Sequence, residues 1–227
     1  DGVPPMSVDF GGAMRLIGVL VAADEIAANS ALNVDLYWRA LQPTRADYSI
    51  QLSLRDAAGH LFGQSDSQNP AGFPTSRWSL DDYARDAHAL TPYAGTPPGD
   101  YQLAASVYRQ ADGVPLSAPV PIGQVTVTCA SASPALEPLT ALDAALGPIT
   151  LLGVDWSTPS LNVGEALTFT AYWDPLNGTD RSLDGQVYLI DAVGRIAANQ
   201  SLQLVNDRYP TTAWQPGCPL RAPLDVR

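Results

Sequence analysis

Leu32-Asn33-Val34-Asp35-Leu36-Tyr37-Trp38 decides the fold, because Leu167-Thr168-Phe169-Thr170-Ala171-Tyr172-Trp173 repeats its pattern 135 positions later. In each stretch apolar side chains take every second position. A period of two puts one face of an extended strand on a core and the other outside it. Trp38 and Trp173 share the inner phase with their aliphatic neighbours and are read as structural core. Tyr37 and Tyr172 fall on the outer phase.

The match extends in both directions from these strands. Leu16, Gly18 and Val19 recur as Leu151, Gly153 and Val154, and Leu54, Asp56, Ala57 and Gly59 recur as Leu189, Asp191, Ala192 and Gly194. With one inserted residue placed ahead of Gln200, Gln64-Ser65 matches Gln200-Ser201, Pro74-Thr75 matches Pro210-Thr211, Trp78 matches Trp214 and Arg85 matches Arg221. A fixed register of this kind marks an internal repeat. The expected division is a first copy over 1–128, a linker over 129–140 (CASASPALEPLT) and a second copy over 141–227.

Beyond Leu32–Trp38, strands are expected at Arg15–Val21, Ile50–Leu54, His60–Asp66, Ala84–Leu90, Tyr101–Arg109 and Gln124–Thr128, about seven in all. Asp56-Ala57-Ala58-Gly59 and Asp191-Ala192-Val193-Gly194 supply short hairpin connections in which glycine provides a positive φ. The 20 prolines and 18 glycines leave little uninterrupted length for helices. The acids agree, since 20 are Asp, a turn former, and only Glu25, Glu137 and Glu165 are Glu. The expected fold is all-β: two tandem immunoglobulin/fibronectin-like antiparallel β-sandwiches, the second incomplete at its C-terminal end. Arg227 matches about Thr91, so the second copy has no counterpart of Pro97-Pro98-Gly99-Asp100-Tyr101 or of the last two strands. A sandwich stopped there exposes core side chains and unpaired backbone. The natural chain is therefore expected to continue past Arg227, the alternative being that Val3–Phe10 or another molecule supplies the missing strand.

Composition excludes several functions. The net charge of −11, with every one of the 12 basic residues an arginine, repels phosphate backbones and argues against nucleic-acid binding. No apolar run approaches the roughly 18–20 residues of a membrane span. A start at Asp1 implies a processed or excised chain. Cys129 and Cys218 form no metal motif. They are either independent small buried residues or a disulfide closing about 90 residues, which on the chain-entropy model stabilises by roughly 4–5 kcal/mol.

Tyr37-Trp38-Arg39-Ala40-Leu41, Asp47-Tyr48, Leu54-Arg55-Asp56-Ala57-Ala58-Gly59, Gln64-Ser65-Asp66, Asn69-Pro70, Gly72, Pro74-Thr75, Trp78 and Pro97-Pro98-Gly99-Asp100-Tyr101 form a recognisable set. The set resembles the β-sandwich modules attached to multi-spanning bacterial membrane proteins of the glycosyltransferase type, similar to protein mannosyltransferases. The second copy follows the pattern less closely, with Asn177-Gly178 in place of Gln42-Pro43 and no Asn-Pro ahead of Tyr209-Pro210. The resemblance implies an extracytoplasmic, non-catalytic module, periplasmic or at the cell surface, serving as spacer or interaction domain. Glycosyl-transfer chemistry would then lie in membrane parts outside this segment. Fold and neighbourhood alone do not establish function.

The residue-level alternative is a carbohydrate-binding module. Outward Tyr37 and Tyr172, Trp156 at a strand end, and Trp78 and Trp214 in the long connection could stack on pyranose rings. Against that use, Trp78 and Trp214 could instead plug their loop onto the sheets. His60 and His88 are expected at the surface or a strand edge, outside any Ser-His-Asp arrangement. Asp81-Asp82, with Asp86 and Asp66, is the nearest approach to a glycoside hydrolase pair or a calcium site, but Gly217-Cys218 replaces the first pair in the second copy. Those acids are read as solvated, and no cofactor or metal is expected. The sequons Asn177-Gly178-Thr179 and Asn199-Gln200-Ser201 are read as chance. The partner classes left are a carbohydrate or another protein domain, with the oligomeric state open.

Overall fold

The computed structural model describes residues 3–130, 136–158, 160, 162 and 164–226, so the middle of the expected linker, 131–135, lies outside the described residues. The chain is all-β with several antiparallel sheets, and its described helical segments are three-residue 3-10 turns. It divides into two compact units. Unit 1 takes Asp1–Tyr93 and Pro98–Thr128, and unit 2 takes Ala94–Pro97 and Cys129–Arg227.

Unit 1 contains β1 (Pro5–Phe10), β2 (Met14–Val21), β3 (Glu25–Ala27), β4 (Leu32–Ala40), β5 (Tyr48–Arg55), β6 (Leu61–Ser67), β7 (Ala84–Leu90), β8 (Gly99–Arg109) and β9 (Val120–Thr128). These make a four-stranded sheet, β1-β2-β4-β7, and a five-stranded one, β3-β9-β8-β5-β6. Alternation along β4 and β7 sends Leu32, Val34, Leu36, Trp38, Ala84 and Leu90 inward. There they join Ile50, Leu52, Leu54, Leu103, Val107 and Val125 from the other sheet in one core. Phe10 packs edge-on against Trp38, with ring centroids 5.3 Å apart.

Two of the nine strands, β1 and β3, were not among the seven expected. Strand β3 has only three residues, too few to show a period, whereas β1 alternates Met6, Val8 and Phe10 with Ser7 and Asp9 behind an opening proline that reads as a break. β3 also runs parallel to β9, an exception to the antiparallel rule of the other ladders. Because β1 pairs with β2 in its own unit, Val3–Phe10 is not the segment that fills a gap in the second copy.

Gly18 follows a register shift in β2 and stands opposite Tyr37. A Cβ there would come within 2.6 Å of Val3 Cγ1, so the close approach of the N-terminal strand requires glycine.

Unit 2 contains β10 (Thr140–Leu146), β11 (Ile149–Trp156), β12 (Leu167–Pro175), β13 (Asp184–Ile190), β14 (Ile196–Gln203) and β15 (Leu220–Val226). Its sheets are β10-β11-β12-β15 and the pair β13-β14. The first has the layout of β1-β2-β4-β7 in detail. Leu151 pairs with Trp173 and Gly153 with Tyr172 across a register shift, as Leu16 pairs with Trp38 and Gly18 with Tyr37. A Cβ on Gly153 would meet Thr140 O and Pro138 Cγ. Trp173, Phe169, Ala171, Leu220 and Leu224 form the core with Leu204, Tyr209 and Trp214.

The hairpin β13-β14 shifts register between Leu189 and Ile190, as β5-β6 does between Leu54 and Arg55. Tyr188 faces Asn199 just as Ser53 faces Gln64. The inserted residue therefore lies in the connection after Gln203 and not before Gln200, where residue identity placed it. An extra residue inside a paired strand forces a bulge, whereas a connection absorbs it freely.

Threonine fixes that connection in both units. Thr75 Oγ1 accepts the Tyr48 amide at 2.8 Å, and Thr211 Oγ1 accepts the Leu183 amide at 2.8 Å while donating to Arg181 O at 3.3 Å. Each buried hydroxyl thus ties the long connection to the start of β5 or β13. Within unit 2, Cys129 and Cys218 form a disulfide, with Cα atoms 5.1 Å apart, inside the usual range for a bridge.

Candidate functional site

Most of the aromatic residues that sequence offered as a binding surface are packed away. Trp38 and Trp173 are core, as their phase requires. Trp173 Nε1 donates to Leu204 O at 3.1 Å, so its polar atom is satisfied inside the core. Trp78 and Trp214 are also buried, each following the 3-10 turn that starts at Thr75 or Thr211. The indole of Trp214 donates to Tyr209 O at 3.0 Å and lies 6.4 Å, centroid to centroid, from Trp173.

Tyr172 is buried, contrary to the expectation of an exposed outer ring. Its cross-strand partner is glycine, and its hydroxyl donates to Asp155 Oδ2 at 2.7 Å. Burial, then the Asp155 bond and charge, push the phenol up to about 12. Tyr37 is half-buried and tilts against Tyr83 at 6.1 Å. Tyr83 is 67% exposed. Phe73, Arg77, Trp78, Asp82 and Tyr83 line a shallow cleft of about 110 Å³. Trp156 is half-exposed and tilts against Phe169 at 5.3 Å.

The histidines divide differently from expectation. His60 is exposed and bonds Asp56 Oδ2 at 2.9 Å in the β5-β6 turn. His88 is buried, correcting its surface assignment: its Nε2 lies 2.9 Å from Asp86 Oδ2, and its Nδ1 lies 3.2 Å from Ser65 Oγ. A Ser-His-Asp array therefore exists, one that residue spacing does not suggest. Asp86 and His88 lie on β7 in the inward phase of Ala84 and Leu90, and Ser65 lies on β6. The array joins the two sheets of unit 1 through polar groups that satisfy one another. The missed signal was phase, since the alternation that buries Ala84 and Leu90 also buries Asp86 and His88.

The other acids are committed elsewhere. Asp66 accepts from Gln51, Gln64 and Tyr108, while Asp81 and Asp82 are exposed. Among the described residues, no three His, Cys, Asp or Glu side chains converge as a metal site. No described helix is long and apolar enough to cross a membrane.

A large concavity in unit 2 is apolar. It measures about 410 Å³ between β13-β14 and the four-stranded sheet, lined by Ile149, Phe169, Trp173, Val187, Leu202 and Leu224 among others. Strand β13 pairs with β14 along one edge, and among the described residues the sheet order places no strand on its other edge. In unit 1 the equivalent edge of β5 carries β8, with Leu54 opposite Leu103. The effect on burial is large: Leu54 is 0% exposed, and Leu189 at the same position of β13 is 55% exposed. No family model matches the chain, and no curated protein matches it.

Proposed function

We propose that the chain is a tandem of two immunoglobulin-like β-sandwich units, a non-catalytic extracytoplasmic module of a larger membrane-associated protein that acts as a spacer or interaction domain. The observation that carries this reading is the repetition of the pairings around Trp38 and Trp173, which supports a duplicated sandwich. The disulfide Cys129–Cys218 supports an oxidising compartment, where such bonds persist. In this reading, any glycosyl transfer belongs to other parts of the parent protein, as the resemblance to the glycosyltransferase-associated modules implies.

The test is topological. In spheroplasts of source cells, added protease should digest this segment, and the intact segment should sediment with membranes. Protection from protease, or release into the soluble fraction, would contradict the reading.

A second reading, carbohydrate binding, is favoured by one observation, the exposed Tyr83 ring against Tyr37 beside the cleft of Phe73 and Asp82. Exposed aromatic faces flanked by polar groups suit sugar rings. A glycan array read together with tryptophan fluorescence tests it. A response abolished by Tyr83→Ala supports sugar binding, and silence across polysaccharides and lipid-linked sugars removes it.

A further inference from the structure

Unit 2 repeats the framework of the Tyr83 cleft and none of its surface. Thr75 and Trp78 have counterparts in Thr211 and Trp214, and each tryptophan is buried behind the same 3-10 turn. Around that framework the residues change: Phe73 is replaced by Tyr209, Arg77 by Ala213, Asp82 by Cys218 and Tyr83 by Pro219. In unit 2 the place is closed. Tyr209 is 2% exposed with its ring 6.4 Å from that of Trp214, Trp214 Nε1 donates to Tyr209 O, and Cys218 is spent on its disulfide. In unit 1 it is open, with Phe73 42% and Tyr83 67% exposed.

Two further features mark the unit 1 version. Trp78 Nε1 is buried without a partner, an orphan polar atom of a side chain that lines the cleft. Trp38 Nε1 is also unpaired, but inside the core of the unit. Ala71, two residues ahead of Phe73, holds a left-handed backbone at φ 61, which carries strain in a residue other than glycine, and Asp207 at the same position of unit 2 does not.

We infer that unit 1 alone carries the carbohydrate site, and that its ligand is a single neutral pyranose bearing vicinal hydroxyls, stacked on Tyr83 and held at its rim by Arg77 and Asp82. The inference rests on the carbohydrate reading given above. Arg77 supplies only donors and the Asp82 carboxylate only acceptors, the complement of adjacent hydroxyls that each give and take a hydrogen bond. Among the described residues neither side chain is spent on an ion pair or a hydrogen bond, whereas Arg85 is committed to Asp35 at 2.8 Å. Charge disfavours the neighbouring ligand classes. Asp81 and Asp82, in a chain of net charge −11, oppose an anionic sugar, and Arg77 opposes an ammonium group over the same rings. The cleft volume of about 110 Å³ is well under the roughly 300–1,000 Å³ of pockets that enclose drug-sized molecules, so one ring enters and further units lie outside.

The test is NMR of the full chain with the Trp78 and Trp214 indole signals assigned. The probes are the methyl pyranosides of glucose, galactose and mannose, then glucuronate, then tetramethylammonium. At least one neutral pyranoside should shift the Trp78 indole and the amides of 73–83 while Trp214 stays still. Binding should saturate at one site per chain with a dissociation constant on the order of millimolar, as suits a ligand of that size. Tyr83→Ala and Arg77→Ala should each weaken it by roughly tenfold, and Tyr83→Phe, which keeps the ring, should not. Unchanged amide shifts outside 73–83 show that each variant is folded.

Tighter binding of glucuronate than of the pyranosides, equal shifts at Trp214, or binding indifferent to both alanine variants would overturn this inference and leave the carbohydrate reading standing. A response to tetramethylammonium with every sugar silent would reassign the cleft to a cationic ligand and overturn both. Silence of all three pyranosides overturns the single-ring inference, and the carbohydrate reading falls with it only if the glycan array is silent too.

Discussion

His88 Nε2 stands 2.9 Å from Asp86 Oδ2 with both side chains shut off from solvent, and unit 2 places Leu224 and Ala222 at the same two positions. One framework thus accommodates either a mutually satisfied polar pair or an apolar pair.

That equivalence predicts an asymmetry in mutant stability. Asp86→Ala leaves His88 without its partner and should cost about 1–3 kcal/mol, the usual penalty for an abandoned buried polar group. Adding His88→Leu, which copies the Ala222/Leu224 pair, should recover most of that loss, since apolar replacement of a buried polar pair is often neutral. Urea unfolding of both variants decides it. A double variant less stable than the single would show that the pair is more than a structural bridge.

The threonine clamp gives a second prediction. Thr75→Val and Thr211→Val keep the side-chain shape but leave the amides of Tyr48 and Leu183 unpaired, at a cost of about 1–3 kcal/mol each. Exchange at those two amides should quicken selectively, each in its own variant. Unchanged exchange would mean the hydroxyls are incidental.

Tyr172 sets an alkaline limit. Its folded pKa is about 12, above the ordinary tyrosine value of about 10, because burial and the bond to Asp155 favour the neutral phenol. A group whose pKa is raised on folding stabilises fully below the unfolded value and loses that contribution as pH climbs through the folded one. Stability of unit 2 should therefore hold below about pH 10 and fall between pH 10 and 12. Tyr172→Phe should flatten that interval. Burial also raises Tyr93, Tyr108 and Tyr209, so tyrosinate absorbance in a pH titration should show several late-titrating tyrosines, one fewer in the variant.

Cys129 and Cys218 close 89 residues of sequence. On the chain-entropy model the bond is worth roughly 4–5 kcal/mol, and reduction should lower the Tm of unit 2 while leaving unit 1 almost unmoved. Calorimetry with and without reductant reads this directly. Identical traces would remove the bond as a source of stability.

How far the sequence disclosed this molecule depends on which residues carry a period. Leu32–Trp38 and Leu167–Trp173 could be placed because one face is buried and the other is not, and a slip of one residue would reverse every side chain. Glu25–Ala27 is too short to show a phase. Pro5–Phe10 begins with a residue that cannot donate to a ladder. The burial of Tyr172 is not legible in its phase, which gives direction and not cover: the bond to Asp155 becomes visible only across the sheet. The Ser65–His88–Asp86 array joins strands distant in sequence, so residue spacing alone could not assemble it. The open edge of β13 was anticipated from the missing counterparts of Tyr101–Arg109 and Gln124–Thr128. Its apolar cavity required coordinates.

The account stands most directly on the contrast between β5, covered on both edges, and β13, paired on one. Native-state amide exchange on the unmodified chain compares them residue by residue. Leu52 and Leu54 should exchange only through opening of the whole unit, and Val187 and Leu189 orders of magnitude faster through local opening. Equal protection of the two strands in the isolated chain would contradict the account.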